Sequence, residues 1–356
     1  MTRPRYGATA DDIADIVATA GQPGYRARQI YDGLWTQRTP LDQLTSLPKQ
    51  LRADLEHTLP LSLGQPIVQR SRDNATVKWL WRAHDGAQVE TVLMRSPRRA
   101  TVCVSSQAGC AMGCTFCATG QAGFERHLRA DEIVEQVVRA QHDTDQRVSN
   151  VVFMGMGEPL ANVDEVWSAV ERLHADLGLS ARHITISTVG VVPGIRALID
   201  APLPVTLAVS LHAPNDELRR QLVPLDKRYP IDAVLDAAAA VARARGRRVT
   251  FEYALIDEVN DRLNHADELA DLLNGFPGPG GAHVNLIPLN PTGGFEGKAS
   301  HPGRAQTFRD RLLAQGIQAT IRRNRGVDID AACGQLRARA SKPDDVAVGL
   351  GRPPER

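Results

Sequence analysis

The chain has 356 residues, 42% hydrophobic and 23% charged, a balance that excludes wholesale disorder and collagen-like repeats. At about 100–200 residues per domain, this length predicts two domains or one with an extension. The formal net charge of +1 assigns no partner by itself, and no apolar run reaches the roughly 18–20 residues that would span a bilayer.

Asp11 and Asp12, with Asp15 three residues on, come before any apolar core could form, which is not the pattern of a secretory signal. A cytoplasmic protein with reduced thiols and no membrane partner is expected. The three acids suit the first turn of a helix, and Ile13, Ile16 and Val17 follow at helical spacing. Ile30, Leu34 and Trp35, then Leu51 and Leu55, mark two further helical units. Residues 1–65 are therefore expected to form a small helical accessory domain. The pattern changes over 66–108, where β-rich runs flank an Asp85-Gly86 turn, a hairpin signal. This segment reads as a β-extension leading into the core.

From residue 109 to about 340, strands alternate with helices. The strands are 150–155, 184–188, 205–211, 249–255, 284–289 and 319–323. A helix carries Ile133, Val134, Val137 and Val138, and Asn162 is placed to cap the next. Such alternation predicts an α/β fold with a parallel sheet, an open or partial barrel of about six units. The last stretch, 341–356, reads as a charged tail.

Charge is unevenly spread. Residues 66–108 hold seven basic side chains against three acidic, and 318–340 five against two. Such segments are compatible with a local polyanion footprint or with ordinary arginine-rich surface.

Three of the five cysteines, Cys110, Cys114 and Cys117, follow a C-x3-C-x2-C spacing that lets thiolates converge from one loop. The spacing alone admits structural zinc, with Cys103 or His127 as a fourth ligand, or an iron–sulfur cluster. With three ligands, a cubane leaves one iron open for a small molecule. The triad lies on the first strand-to-helix loop, at the end of a barrel that carries chemistry.

These features resemble the radical S-adenosylmethionine (SAM) superfamily. In order along the chain, ETV (90–92), the cysteine run (103–120), FMGMGEP (153–159), STVG (187–190), SLHAPND (210–216), LIPLNP (286–291) and DIDAACGQ (328–335) resemble its RlmN/Cfr family of RNA methyltransferases. The resemblance implies a partial (β/α)6 radical-SAM barrel and one 4Fe-4S cluster held by Cys110, Cys114 and Cys117. It implies SAM contacts from Gly157, Glu158, Ser187, Ser210, Leu211, His212 and Asn290. Cys333 corresponds to the methyl carrier and Cys103 to the second catalytic thiol, the two pairing transiently as a disulfide. Glu90 corresponds to the proton acceptor, although a strand glutamate ordinarily faces solvent.

The implied reaction methylates adenosine in 23S ribosomal RNA and in tRNA next to the anticodon, using two SAM molecules. Pro159 and Pro288 fit the branch acting at C2 better than the branch acting at C8. An electron donor such as flavodoxin or ferredoxin, a monomeric state and RNA binding by the helical domain are also expected. A zinc-dependent RNA-binding module without catalysis is the alternative of another class.

Overall fold

The computed structural model describes residues 3–336; the expected tail over 341–356, and positions 337–340 of the expected core, lie outside them. Helices span Ala10–Thr19, Tyr25–Asp32 and Lys49–Thr58. Thr9 opens the first with a capping box: its hydroxyl accepts from the Asp12 N–H, and the Asp12 carboxylate accepts from the Thr9 N–H. Ile13, Val17, Ile30, Trp35, Leu51 and Leu55 are buried in the same core that continues into the sheet. Arg172 ties the two regions, donating to the carbonyls of Tyr6 and Ala8 and lying over the Trp35 ring.

Strands β1 (Ile67–Arg70), β2 (Thr76–Arg82), β3 (Gln88–Ser96) and β4 (Arg99–Cys103) pair antiparallel in succession. The Asp85-Gly86 turn joins β2 to β3, with Gly86 at φ +91°, a conformation that favours glycine. A short antiparallel pair follows, β5 (Gln107–Gly109) and β6 (Phe124–His127). Then come β7 (Val148–Phe153), β8 (Ile184–Thr188), β9 (Thr206–Ser210), β10 (Thr250–Leu255), β11 (His283–Pro288) and β12 (Gln318–Ile321).

The main sheet runs β1-β2-β3-β4-β7-β8-β9-β10-β11-β12, parallel from β4 onward. Cys103 on β4 sits opposite Val92 of β3 and Val152 of β7. The segment 66–108 thus includes the first parallel strand, and no break falls at 108/109. The change of sequence pattern there marks a change in strand direction, not a gap in hydrogen bonding. Helices cover the sheet after each of β4 and β7–β11, and β12 closes the series. Among the described residues β1 and β12 are the sheet's edges, each paired on one side only, so the barrel is partial, as the alternation predicts.

Asn162 stands at the start of the helix Val163–Ala175 but does not cap it with its side chain. Its Nδ2 instead donates to the carbonyls of Ser106 and Leu128 at 3.0 and 2.8 Å. Satisfying two buried acceptors in this way outcompetes the local cap. No helix among the described residues is long and apolar enough to cross a membrane.

Candidate active site

Every parallel strand ends at one mouth, where two adjoining cavities open. Cys110, Cys114 and Cys117 occupy the loop between β5 and the short helix Ala118–Ala122. Gly109 and Gly113 turn this loop through φ +75° and +66°. Burial pushes the Cys110 thiol up to about 12. The Cys114 thiol lies well above its ordinary range, through burial first and then its neighbours Cys117 and Cys110. Thiols so placed ionise only against a strong positive centre, which suits metal ligation. Among the described residues no three His, Cys, Asp or Glu side chains converge on a single-ion position; the triad instead lines one wall of the first cavity. Three neighbouring thiols beside an open cavity leave room for a group larger than one ion, as an iron–sulfur cluster requires. His127 is turned away, with Nδ1 3.0 Å from Gln107 Nε2.

More of the lining follows β7. Gly157 has φ +100°, and a Cβ there would meet Gln107 Cβ at 2.6 Å, so only glycine fits. Glu158 is not the exposed acceptor its place in GMGEP suggests. It is buried, its carboxylate accepting from the N–H groups of Leu160 and Val189 at 3.0 and 2.8 Å. Burial raises it to about 7 despite those bonds. A cationic group entering the cavity would reverse that shift.

Ser187 is the next-to-last residue of β8 and donates to the Phe153 carbonyl at 2.5 Å. Ser210 ends β9, and His212 follows at φ +61°; Ser187, Ser210 and His212 all line the first cavity. His212 is held neutral, its value lowered to about 3 by burial and then by Arg219, while Nδ1 accepts from the Ala254 N–H at 3.0 Å. Leu211 does not line the cavity; it is buried, and its carbonyl accepts from Arg219 Nε at 3.2 Å. Asn290 follows β11. Its Nδ2 donates to the Cys333 carbonyl at 3.0 Å, and its Oδ1 is buried with no partner. An acceptor left without a partner on a cavity-lining residue is one that a bound polar ligand could satisfy.

Cys333 lines both cavities; the second also carries Cys103, Arg99 and Arg322. Cys333 is exposed and Cys103 buried, and neither is in a disulfide. Cys333 adds to the rise of the Cys103 thiol, and both bear on Arg322. The Cys333 loop is fastened by Ala118 N–H donating to the Gly334 carbonyl at 2.7 Å, immediately after the last cysteine of the triad. Glu90 lines neither cavity. It is buried on β3 against Lys78 at 3.1 Å, and Lys78 also donates to the Asp330 carbonyl. This strand is covered by the C-terminal loop, so the usual solvent-facing position is lost.

Glu252 and Arg322 join the site without having been expected there from sequence. Glu252 Oε2 and Arg322 Nη1 are 3.2 Å apart, and both residues line the first cavity. A lone acid in the apolar strand VTFEYAL was the available signal.

A partial parallel barrel with a cysteine triad on its first loop defines a radical-SAM enzyme, and residues 104–273 match the Radical SAM superfamily. A radical SAM methyltransferase of solved structure from Sphaerobacter thermophilus superposes with a TM-score of 0.88, is 48% identical, and covers 94% of this chain and 99% of its own. The probable dual-specificity RNA methyltransferase RlmN of Frankia casuarinae is 51% identical over 96% of this chain and 85% of its own length. That of Synechococcus elongatus is 45% identical over 95% and 94%. The chain belongs to the RlmN family of radical-SAM RNA methyltransferases. Its fold family uses a 4Fe-4S cluster and SAM, and its substrates are RNA, so the non-catalytic zinc-module alternative is set aside.

Proposed function

We propose that this chain methylates C2 of adenosine in 23S ribosomal RNA and in tRNA next to the anticodon, with Cys333 carrying the methyl group. The observation that supports this reading is the place of Cys333 on the boundary of two cavities, one walled by the cysteine triad and the other by Cys103 and arginines. Adenine C2 is electron-poor, so direct displacement of a methyl group from SAM onto it is unfavourable. A sulfur that can be methylated from one side and meet RNA on the other answers that problem.

Cys110, Cys114 and Cys117 would hold the cluster, leaving one iron for SAM; the cluster supplies the electron that cleaves the sulfonium. Gly157, Glu158, Ser187, Ser210, His212 and Asn290 form the SAM site; Leu211, expected there too, lies beneath it, its N–H donating to the Glu252 carbonyl and its carbonyl accepting from Arg219. Cys333 accepts the methyl group and links to the RNA through it; Cys103 then attacks the Cys333 sulfur and releases the product. Glu90 takes the C2 proton. It lies two positions before Val92 on β3, and Val92 lines the second cavity, so alternation puts both on one face. Flavodoxin or ferredoxin as donor, a monomer, and a cytoplasmic location complete the reading.

Mass spectrometry of RNA digested after turnover, against 2- and 8-methyladenosine standards, tests the position; an 8-methyl product would assign the other branch. Cys103→Ala is expected to leave RNA covalently attached to Cys333. Free unmodified RNA from a variant that still cleaves SAM would overturn the assigned thiol roles.

A further inference from the structure

We propose that Lys78 is a positioning residue for the C2 proton transfer, one buried ammonium that holds both the Glu90 carboxylate and the loop carrying Cys333. The inference rests on the reading of Glu90 as the proton acceptor and Cys333 as the methyl carrier.

β2 and β3 pair so that Lys78 stands opposite Val92, and Leu80 opposite Glu90. Lys78 and Glu90 are therefore diagonal neighbours on one face of the ribbon, within reach of long side chains. Val92 and Met94 of that face line the second cavity. Lysine is almost never fully buried unless paired, yet Lys78 is only 6% exposed and Glu90 2%. Their contact, Nζ to Oε1 at 3.1 Å, is what such burial requires.

A second contact ties this pair to the methyl carrier. Lys78 Nζ also donates to the Asp330 carbonyl at 3.2 Å, three residues before Cys333. The turn that presents this carbonyl lies against β2 itself. A Cβ at Gly326 would meet Thr76 Cγ2 at 2.8 Å, and the Ala331 N–H donates to the Gly326 carbonyl at 2.8 Å. The Arg72 N–H donates to Asp328 Oδ2 at 2.9 Å. Of these contacts between loop and ribbon, the one made by Lys78 is shared with Glu90.

Stability alone is a weak reason for such a pair, because well-packed apolar residues often serve a buried site as well or better. What apolar residues cannot do is keep a carboxylate anionic and aimed while it is shielded from water. Only the anion can take a proton.

In the step served, C2 of the RNA adduct carries both its hydrogen and the methylene bound to Cys333. The C2–H bond breaks, the proton goes to a Glu90 oxygen, and the bond pair joins the ring. The single electron then in excess passes to the cluster oxidised in cleaving SAM, and the purine is aromatic again. Lys78 gives up no proton; it fixes where the carboxylate and the Cys333 loop stand.

The test uses the full chain with its cluster reconstituted, turning over RNA whose target adenosine carries hydrogen or deuterium at C2. Proton loss is the step that breaks that bond. Lys78→Met is expected to cleave SAM and methylate Cys333 as before, but to release methylated RNA about a hundredfold more slowly, the low end of what a positioned base contributes. Its C2 deuterium effect should exceed that of wild type, and Lys78→Arg should restore most of the rate. In Glu90→Gln, itself slowed, adding Lys78→Met should cost little more, since the two act as one unit. Should Lys78→Met not fold, Lys78→Gln, still able to bond the Asp330 carbonyl, carries the same expectations. A deuterium effect unchanged from wild type overturns the proposal. So does loss of Cys333 methylation, which would make Lys78 a seat for the loop alone. Wild-type turnover by Glu90→Gln would remove Glu90 as the base, and the proposal with it, whereas a slow Glu90→Gln beside a normal Lys78→Met sinks the proposal alone.

Discussion

Asn290 donates from Nδ2 to the Cys333 carbonyl at 3.0 Å while its Oδ1, buried, meets no protein donor. One amide on a cavity-lining residue therefore touches the proposed methyl carrier and keeps its other end unpartnered. Asn290→Ala is expected to raise the SAM dissociation constant about three- to tenfold, the worth of one neutral hydrogen bond. It should also speed alkylation of Cys333 by freeing its loop. Equilibrium dialysis against the reconstituted enzyme checks the first effect, and an unaltered constant would remove Asn290 from the SAM site.

Glu158 gives a pH dependence with a definite sign. Burial raises it from 4.5 to about 7, so the folded chain binds more protons than the unfolded chain between those values, and this residue's contribution to stability is lost as pH rises through 7. His212 acts oppositely: lowered from 6.5 to about 3, it costs stability as pH falls below 6.5. From pH 4.5 to 6.5 the two slopes offset each other. In the chain without cluster or SAM, Glu158→Gln should therefore gain stability relative to wild type as pH rises from 5 to 7, by roughly 2–3 kcal/mol at 1.36 kcal/mol per pKa unit. Denaturant midpoints at several pH values measure this, and parallel curves would refute it.

Arg219 and Asp226 form an ion pair at 3.0 Å with both side chains fully buried. The same arginine donates to the carbonyls of Leu211 and Val189, fixing the turn that presents Ser210 and His212. Arg219→Met should destabilise the chain by about 3 kcal/mol, because buried Asp226 then keeps only the half-exposed Arg220, at 3.2 Å, as its cationic partner. Adding Asp226→Leu should recover part of that loss. Chemical denaturation of the single and double variants decides, and a cost under about 1 kcal/mol would show the pair to be solvated.

RNA binding should draw on the arginines around the second cavity. Lys78 is consumed by Glu90, and Arg70 by Asp143 at 2.6 Å, so the basic residues over 66–108 overstate the free charge. Arg98 is exposed and Arg99 lines the cavity. Charge reversal at both is expected to weaken RNA binding and flatten its dependence on log salt by about 0.7–0.9 for each phosphate that is no longer neutralised. Binding titrations from low to physiological salt check it; an unchanged slope would place the RNA elsewhere.

Local chemistry was legible in the linear order of residues. The helices at Ile13 and Ile133, the Asp85-Gly86 hairpin and the alternating parallel strands follow from periodicities that act over a few residues. The cysteine triad is equally local, since one short loop holds all three thiols. What folding decided is which distant groups meet and which face water. Glu158 and Glu90 became buried because chain remote in sequence covers them, Val189 over one and the Asp330 loop over the other. Cys103 and Cys333 share a cavity wall, and Glu252 grips Arg322, only because β4, β10 and the chain after β12 end at a common mouth. Spacing along a chain specifies contacts within one turn or strand; burial and the fields between remote charges arise only when the sheet and its covering loops assemble.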